Sequence, residues 1–129
     1  MHTRLIFLIA PAVMLYATAA SAPGTQAPEP QPKAQIDLGR KIYAGNPGGA
    51  LCVVCHGPAG KGIPGAGPDL TDAAWVNGDG SPAFLREVIS TGVPAPKQSA
   101  TAMPPFGGGK LNKQQVEAVA TYIASLAKK

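Results

Sequence analysis

Histidine and cysteine together occupy only four positions of this 129-residue chain: His2, Cys52, Cys55 and His56. That scarcity excludes a closed structural zinc site, which wants four ligands, because beyond Cys52, Cys55 and His56 only the distant His2 remains. Aromatic residues make up 5% of the sequence, so a domain built from it has a thin core of its own. Basic residues form no run and do not interleave with aromatics, which argues against nucleic acid as a partner. No stretch alternates apolar and polar residues as a half-buried strand would. No apolar run reaches the roughly 18 residues that a membrane span requires.

Three of the four scarce residues stand together. Cys52-Val53-Val54-Cys55-His56 has the C-x-x-C-H spacing of a c-type haem attachment site. Each thiol can add to one vinyl group along one edge of the porphyrin, and the histidine that follows at once is delivered to the iron. A thioredoxin-like motif should follow a buried strand, whereas Asn46-Pro47-Gly48-Gly49-Ala50-Leu51 reads as loop. A disulfide between residues so close would constrain little of the unfolded chain. One covalent haem c is the expected cofactor.

The N-terminus supports that expectation. Arg4 precedes an apolar run from Leu5 to Tyr16, which passes into small residues through Ala22, the pattern of a secretory signal peptide over residues 1–22. An uncleaved anchor is the weaker alternative, because the run is short and contains Pro11. Export would place the protein in the periplasm, where c-type haem is normally attached in bacteria and where two bare thiols would otherwise tend to a disulfide. Residues 23–35, with Pro23, Pro28, Pro30 and Pro32 among polar residues, read as a flexible, PPII-like tether. Residues 36–129 form the one compact domain. Loss of Arg4 with the leader leaves ten basic against seven acidic residues, a mild positive field able to steer an acidic partner.

The domain reads as all-α. Ile36, Gly39 and Tyr43 share one face of a helix over 36–44, stopped by Gly45-Asn46-Pro47. Ser81 is an N-cap with Pro82 in the first helical position; Leu85, Val88 and Ile89 form a stripe, and Gly92 closes the helix. Asn112 with Gln115 opens the last helix, which carries Val116, Val119, Ala120, Ile123 and Leu126 on one face, with Lys128 and Lys129 near its C-terminal dipole. A large covalent apolar disc would complete the core that these helices lack.

A second iron ligand follows almost by elimination. With Met1, His2 and Met14 in the leader, Met103 is the one soft axial candidate left, and Met103-Pro104-Pro105-Phe106 is an extended, stiffened segment. The alternatives are that Met103 is an ordinary core residue, with the iron five-coordinate or bound by Lys97 or Lys110.

Together these residues resemble the class I monohaem cytochromes c, over about Leu38 to Leu126, and the region from Asp69 to Met103 is similar to haem-c domains of bacterial oxidase and dehydrogenase systems. The resemblance implies a cytochrome c fold, three to four main helices around the haem, with the N- and C-terminal helices crossing where Tyr122 lies over Gly39. It implies that the Pro68 carbonyl accepts the other ring N–H of His56, that Leu70 packs on the haem face, and that Trp75 donates to a propionate, a packing role being the alternative. The long, glycine-rich connection between Tyr43 and Cys52 departs from the family pattern and is expected near the exposed haem edge.

A His/Met iron has no vacant position, and its thioether ligand raises the potential. The expected function is a one-electron carrier, not an enzyme, with transient redox-protein partners and no membrane span in the mature form. Two rivals remain: a haem enzyme or ligand sensor in which Met103 is displaced, disfavoured because no distal His is available, and an electron-transfer subunit of a larger dehydrogenase or oxidase complex.

Overall fold

The computed structural model describes residues 32–127. The expected leader lies outside them, as do the tether through residue 31 and the pair Lys128 and Lys129. Helices α1 (Pro32–Tyr43), α2 (Cys52–His56), α3 (Pro82–Thr91) and α4 (Lys113–Leu126) carry the regular structure, with a 3₁₀ turn at Pro105–Gly108. Among the described residues β pairing is confined to two isolated bridges, Ile63 with Gly67 and Val93 with Met103. The all-α expectation holds.

One boundary moves. α1 begins at Pro32 rather than Ile36, so residues 32–35, expected to belong to the tether, are helical. Proline suits the first position of a helix because its missing N–H would have no intrahelical partner there. Lys33 and Arg40 then flank Asp37 at 3.5 and 3.7 Å, exposed pairs at helical spacing.

The core is set by α1 crossing α4. Gly39, Ile42 and Tyr43 are buried on α1, and Val116, Ala118, Val119, Ala120, Tyr122 and Ile123 on α4. At Gly39 a Cβ would overlap the Ala118 carbonyl and come within 2.7 Å of Tyr122 Cβ. The two backbones therefore touch only because Gly39 has no side chain. Beside the crossing the rings of Tyr43 and Tyr122 meet edge to face, 5.5 Å apart at 67°.

α3 leans on α4. Ser81 Oγ accepts from the Phe84 N–H at 3.1 Å, Pro82 follows, and Gly92 ends the helix at φ 74°. Leu85 and Ile89 are buried, and Arg86 Nη1 lies 3.2 Å from both Glu117 carboxylate oxygens. The start of α4 is a full capping box: Asn112 Oδ1 accepts from the Gln115 N–H, and Gln115 Oε1 accepts from the Asn112 N–H.

The glycine-rich connection before α2 is packed rather than loose. Leu51 N–H donates to the Gly107 carbonyl at 3.0 Å and Lys110 N–H to the Gly48 carbonyl at 2.8 Å. At Gly109 a Cβ would overlap the Gly48 carbonyl, so this segment and residues 107–110 approach main chain to main chain.

Candidate functional site

α2, α3, the segment 66–77 and the segment 93–108 enclose a cavity of about 530 Å³, within the ~300–1,000 Å³ of small-molecule and cofactor sites. All seven residues singled out from the sequence line it: Cys52, Cys55, His56, Pro68, Leu70, Trp75 and Met103. Lys97 and Lys110, the alternative ligands, do not. Most of the remaining wall is apolar, contributed by residues such as Phe84, Leu85, Val88, Ile89 and Val93.

α2 is a single helical turn, which puts Cys52 and Cys55 on one face at i and i+3. Both thiols are free and half-buried. Leu51 and Val54, 56% and 59% exposed, mark the outer edge of the same turn. Burial raises the Cys52 thiol above its ordinary pKa, a backbone hydrogen bond works against it, and Cys55 adds to the rise.

His56 closes α2 and is 8% exposed. Its Nδ1 lies 3.0 Å from the Pro68 carbonyl, an oxygen that can only accept, so the ring proton sits on Nδ1 and Nε2 keeps its lone pair. Burial lowers the His56 pKa and the Pro68 carbonyl opposes that shift. The result favours neutral imidazole, the form a metal binds. Gly67 makes the contact possible: a Cβ there would stand 2.8 Å from the Cys55 carbonyl and 3.1 Å from His56 Nδ1. Beyond Pro68, Asp69 accepts from the Thr71 N–H and hydroxyl at 2.6 and 2.7 Å, which holds its carboxyl below the usual range and stiffens the turn. Leu70, 8% exposed, is anchored by its N–H to the Gly60 carbonyl at 2.7 Å.

Met103 is placed by its own backbone. Its N–H donates to the Val93 carbonyl at 3.0 Å, and Val93 N–H donates back at 2.8 Å. Gly92 has a second role beyond ending α3, since a Cβ there would overlap the Met103 carbonyl. Trp75 is half-buried, with its indole nitrogen over Gly80.

Several contributors were not legible in the sequence. The helical pattern of the sequence assigns Tyr43 to packing alone, yet its hydroxyl donates to the Gly57 carbonyl at 2.6 Å; burial, with Cys52 and Tyr122 nearby, raises its pKa and keeps it a donor. Val93 carries no signal in the sequence, and Gly67, though part of the family-like segment Gly67-Pro68-Asp69-Leu70, shows no role there, because each acts on a residue distant in the chain. One imidazole with a free Nε2, one thioether and two thiols along one edge of an apolar cavity fit a haem c.

Residues 34–123 match the family model described as cytochrome c oxidase, cbb3-type, subunit III. The cbb3-type cytochrome c oxidase subunit FixP of Bradyrhizobium diazoefficiens is 38% identical over 89 residues, 68% of this chain and 26% of that protein. Subunit FixPc of Rhizobium leguminosarum bv. viciae is 31% identical over 91 residues, 70% of this chain and 27% of its own. Subunit CcoP of Rubrivivax gelatinosus is 32% identical over 114 residues, 88% of this chain and 32% of its own. The chain thus spans about a quarter to a third of the length of these relatives. No helix among the described residues is long and apolar enough to cross a membrane. The matched span takes in the cavity and nearly all of the helix crossing behind it, and the chain belongs to the cbb3-type cytochrome c oxidase subunit III family, a haem-c protein of electron transport.

Proposed function

We propose that this chain is an electron-transfer module that works in the periplasm as part of a cbb3-type oxidase assembly. The carrying observation is the family match over the cavity itself, from residue 34 to residue 123, to a protein described as an oxidase subunit. It favours the subunit reading over the freely diffusing carrier that the sequence first suggests. Both share one chemistry.

Haem c supplies a one-electron couple at iron. Cys52 and Cys55 would hold it covalently, and His56 and Met103 would supply the nitrogen and sulfur ligands to its iron. Pro68 keeps the Nδ1 proton in place, so His56 is oriented and made more basic. Leu70 and the α3 stripe would exclude water from it, and Trp75 would offer its indole N–H to a propionate. With one ligand from His56 and one from Met103, a change of oxidation state would need no ligand exchange. Asp69, the carboxylate on the cavity wall, is committed to Thr71 beside Pro68 and is not free as an acid or base near Met103. That disfavours the peroxide-handling alternative.

The test is association. Tagged protein expressed in a host containing its cbb3-type oxidase should remain with the oxidase through detergent extraction and gel filtration. Elution as a lone monomer, with saturable and salt-sensitive oxidation by the isolated oxidase, would return the diffusible carrier.

A further inference from the structure

We infer that Tyr43 is a positioning residue for His56, linking the α1–α4 crossing to the iron ligand through the Gly57 carbonyl. The inference rests on the proposal that His56 binds the iron.

α2 has five residues and no side-chain cap at its start, too short a helix to hold its own orientation. The direction of its last residue, His56, is therefore set by what grips the chain just past it. Gly57 N–H donates back to the Val53 carbonyl at 2.9 Å, and Gly62 N–H donates to the His56 carbonyl at 2.8 Å. Both bonds come from the same stretch of loop and move with it. The Tyr43 hydroxyl reaches the Gly57 carbonyl at 2.6 Å from a long helix packed against α4.

The hydroxyl has no other evident use. Packing against Tyr122 needs only the ring, and the Tyr43 side chain is buried, so a phenylalanine would serve the crossing equally well. A buried phenol demands a partner, and the partner it takes is the Gly57 carbonyl, on the peptide one residue beyond the His56–Gly57 bond. Pro68 grips the ring of His56 at Nδ1, and Tyr43 grips its backbone one residue on. One anchor on the ring and one on the residue that follows together fix the plane of the imidazole.

Tyr43→Phe in the haem-loaded protein keeps the ring and deletes the bond. Ile42→Val is the control, a change in the same crossing that leaves the hydroxyl in place. Both should lower the denaturation midpoint. Only Tyr43→Phe should redistribute the haem-methyl hyperfine shifts in the ferric proton NMR spectrum and move the midpoint potential, since both respond to imidazole orientation. A Tyr43→Phe spectrum and potential matching those of the parent would overturn the inference. Should that variant fail to retain haem, the parent decides: a slowly exchanging Tyr43 hydroxyl proton with a cross-peak to Gly57 supports the anchor, and a freely exchanging one refutes it. A parent without hyperfine-shifted His56 ring signals would instead refute the ligation on which the inference stands.

Discussion

Gly67 has no side chain, and that absence lets the Pro68 carbonyl stand 3.0 Å from His56 Nδ1. A methyl group there meets the Cys55 main chain and the His56 ring, neither of which can swing aside without moving the haem motif. Gly67→Ala should therefore destabilise the holoprotein by about 1–3 kcal/mol, the usual cost of overpacking. Chemical denaturation reads this as a lower midpoint at unchanged slope; an unchanged midpoint would mean that the contact has slack. The residues legible beforehand were those whose own atoms carry the chemistry. Cys52, Cys55, His56 and Met103 declare themselves by donor type and scarcity, whereas Gly67 and Val93, and Gly92 in its contact with Met103, act through neighbours brought near by the fold.

Helix ends and crossings divide in the same way. Ser81, Gly92, Asn112 and Gln115 are found where local rules put them, because a cap is a bargain between residues three or four apart. Asn112→Ala should cost about 0.5–2 kcal/mol, measured by thermal or chemical denaturation, and Asn112→Ser much less. The start of α1 lies four residues before the sequence pattern puts it, because proline density reads as tether while Pro32 is also a permitted first residue of a helix. At Gly39 two effects of opposite sign compete. Alanine would gain about 1 kcal/mol of helix propensity, but its Cβ overlaps the Ala118 carbonyl, and overpacking costs about 1–3 kcal/mol. The obstacle is main chain, so the clash should prevail. Gly39→Ala should be less stable than the parent and Gly39→Val less stable still; a stabilised Gly39→Ala would show that the helices can part without loss.

The whole molecule is a set of helices around a cofactor-sized cavity, with its own buried core gathered behind it at the α1–α4 crossing. Folding and haem attachment should accordingly be coupled. Haem should stay on the polypeptide through denaturing, reducing electrophoresis, and Cys52→Ala or Cys55→Ala should leave a single weakened link or no mature protein. Haem that washes away from the parent would contradict covalent attachment. The cavity's contents were legible from five residues, but the glycine-on-glycine packing of residues 48–50 against 107–109 was not, since close backbone approach leaves no periodic trace. The central claim is that His56 and Met103 close the iron on both faces. It is tested most directly by the ferric near-infrared spectrum of the parent beside that of Met103→Ala. The account predicts a low-spin parent with the weak sulfur-to-iron charge-transfer band, and a variant without that band, with a lower potential and an iron open to added ligands. A high-spin parent that binds carbon monoxide or peroxide readily at neutral pH, or a band that survives Met103→Ala, would contradict it.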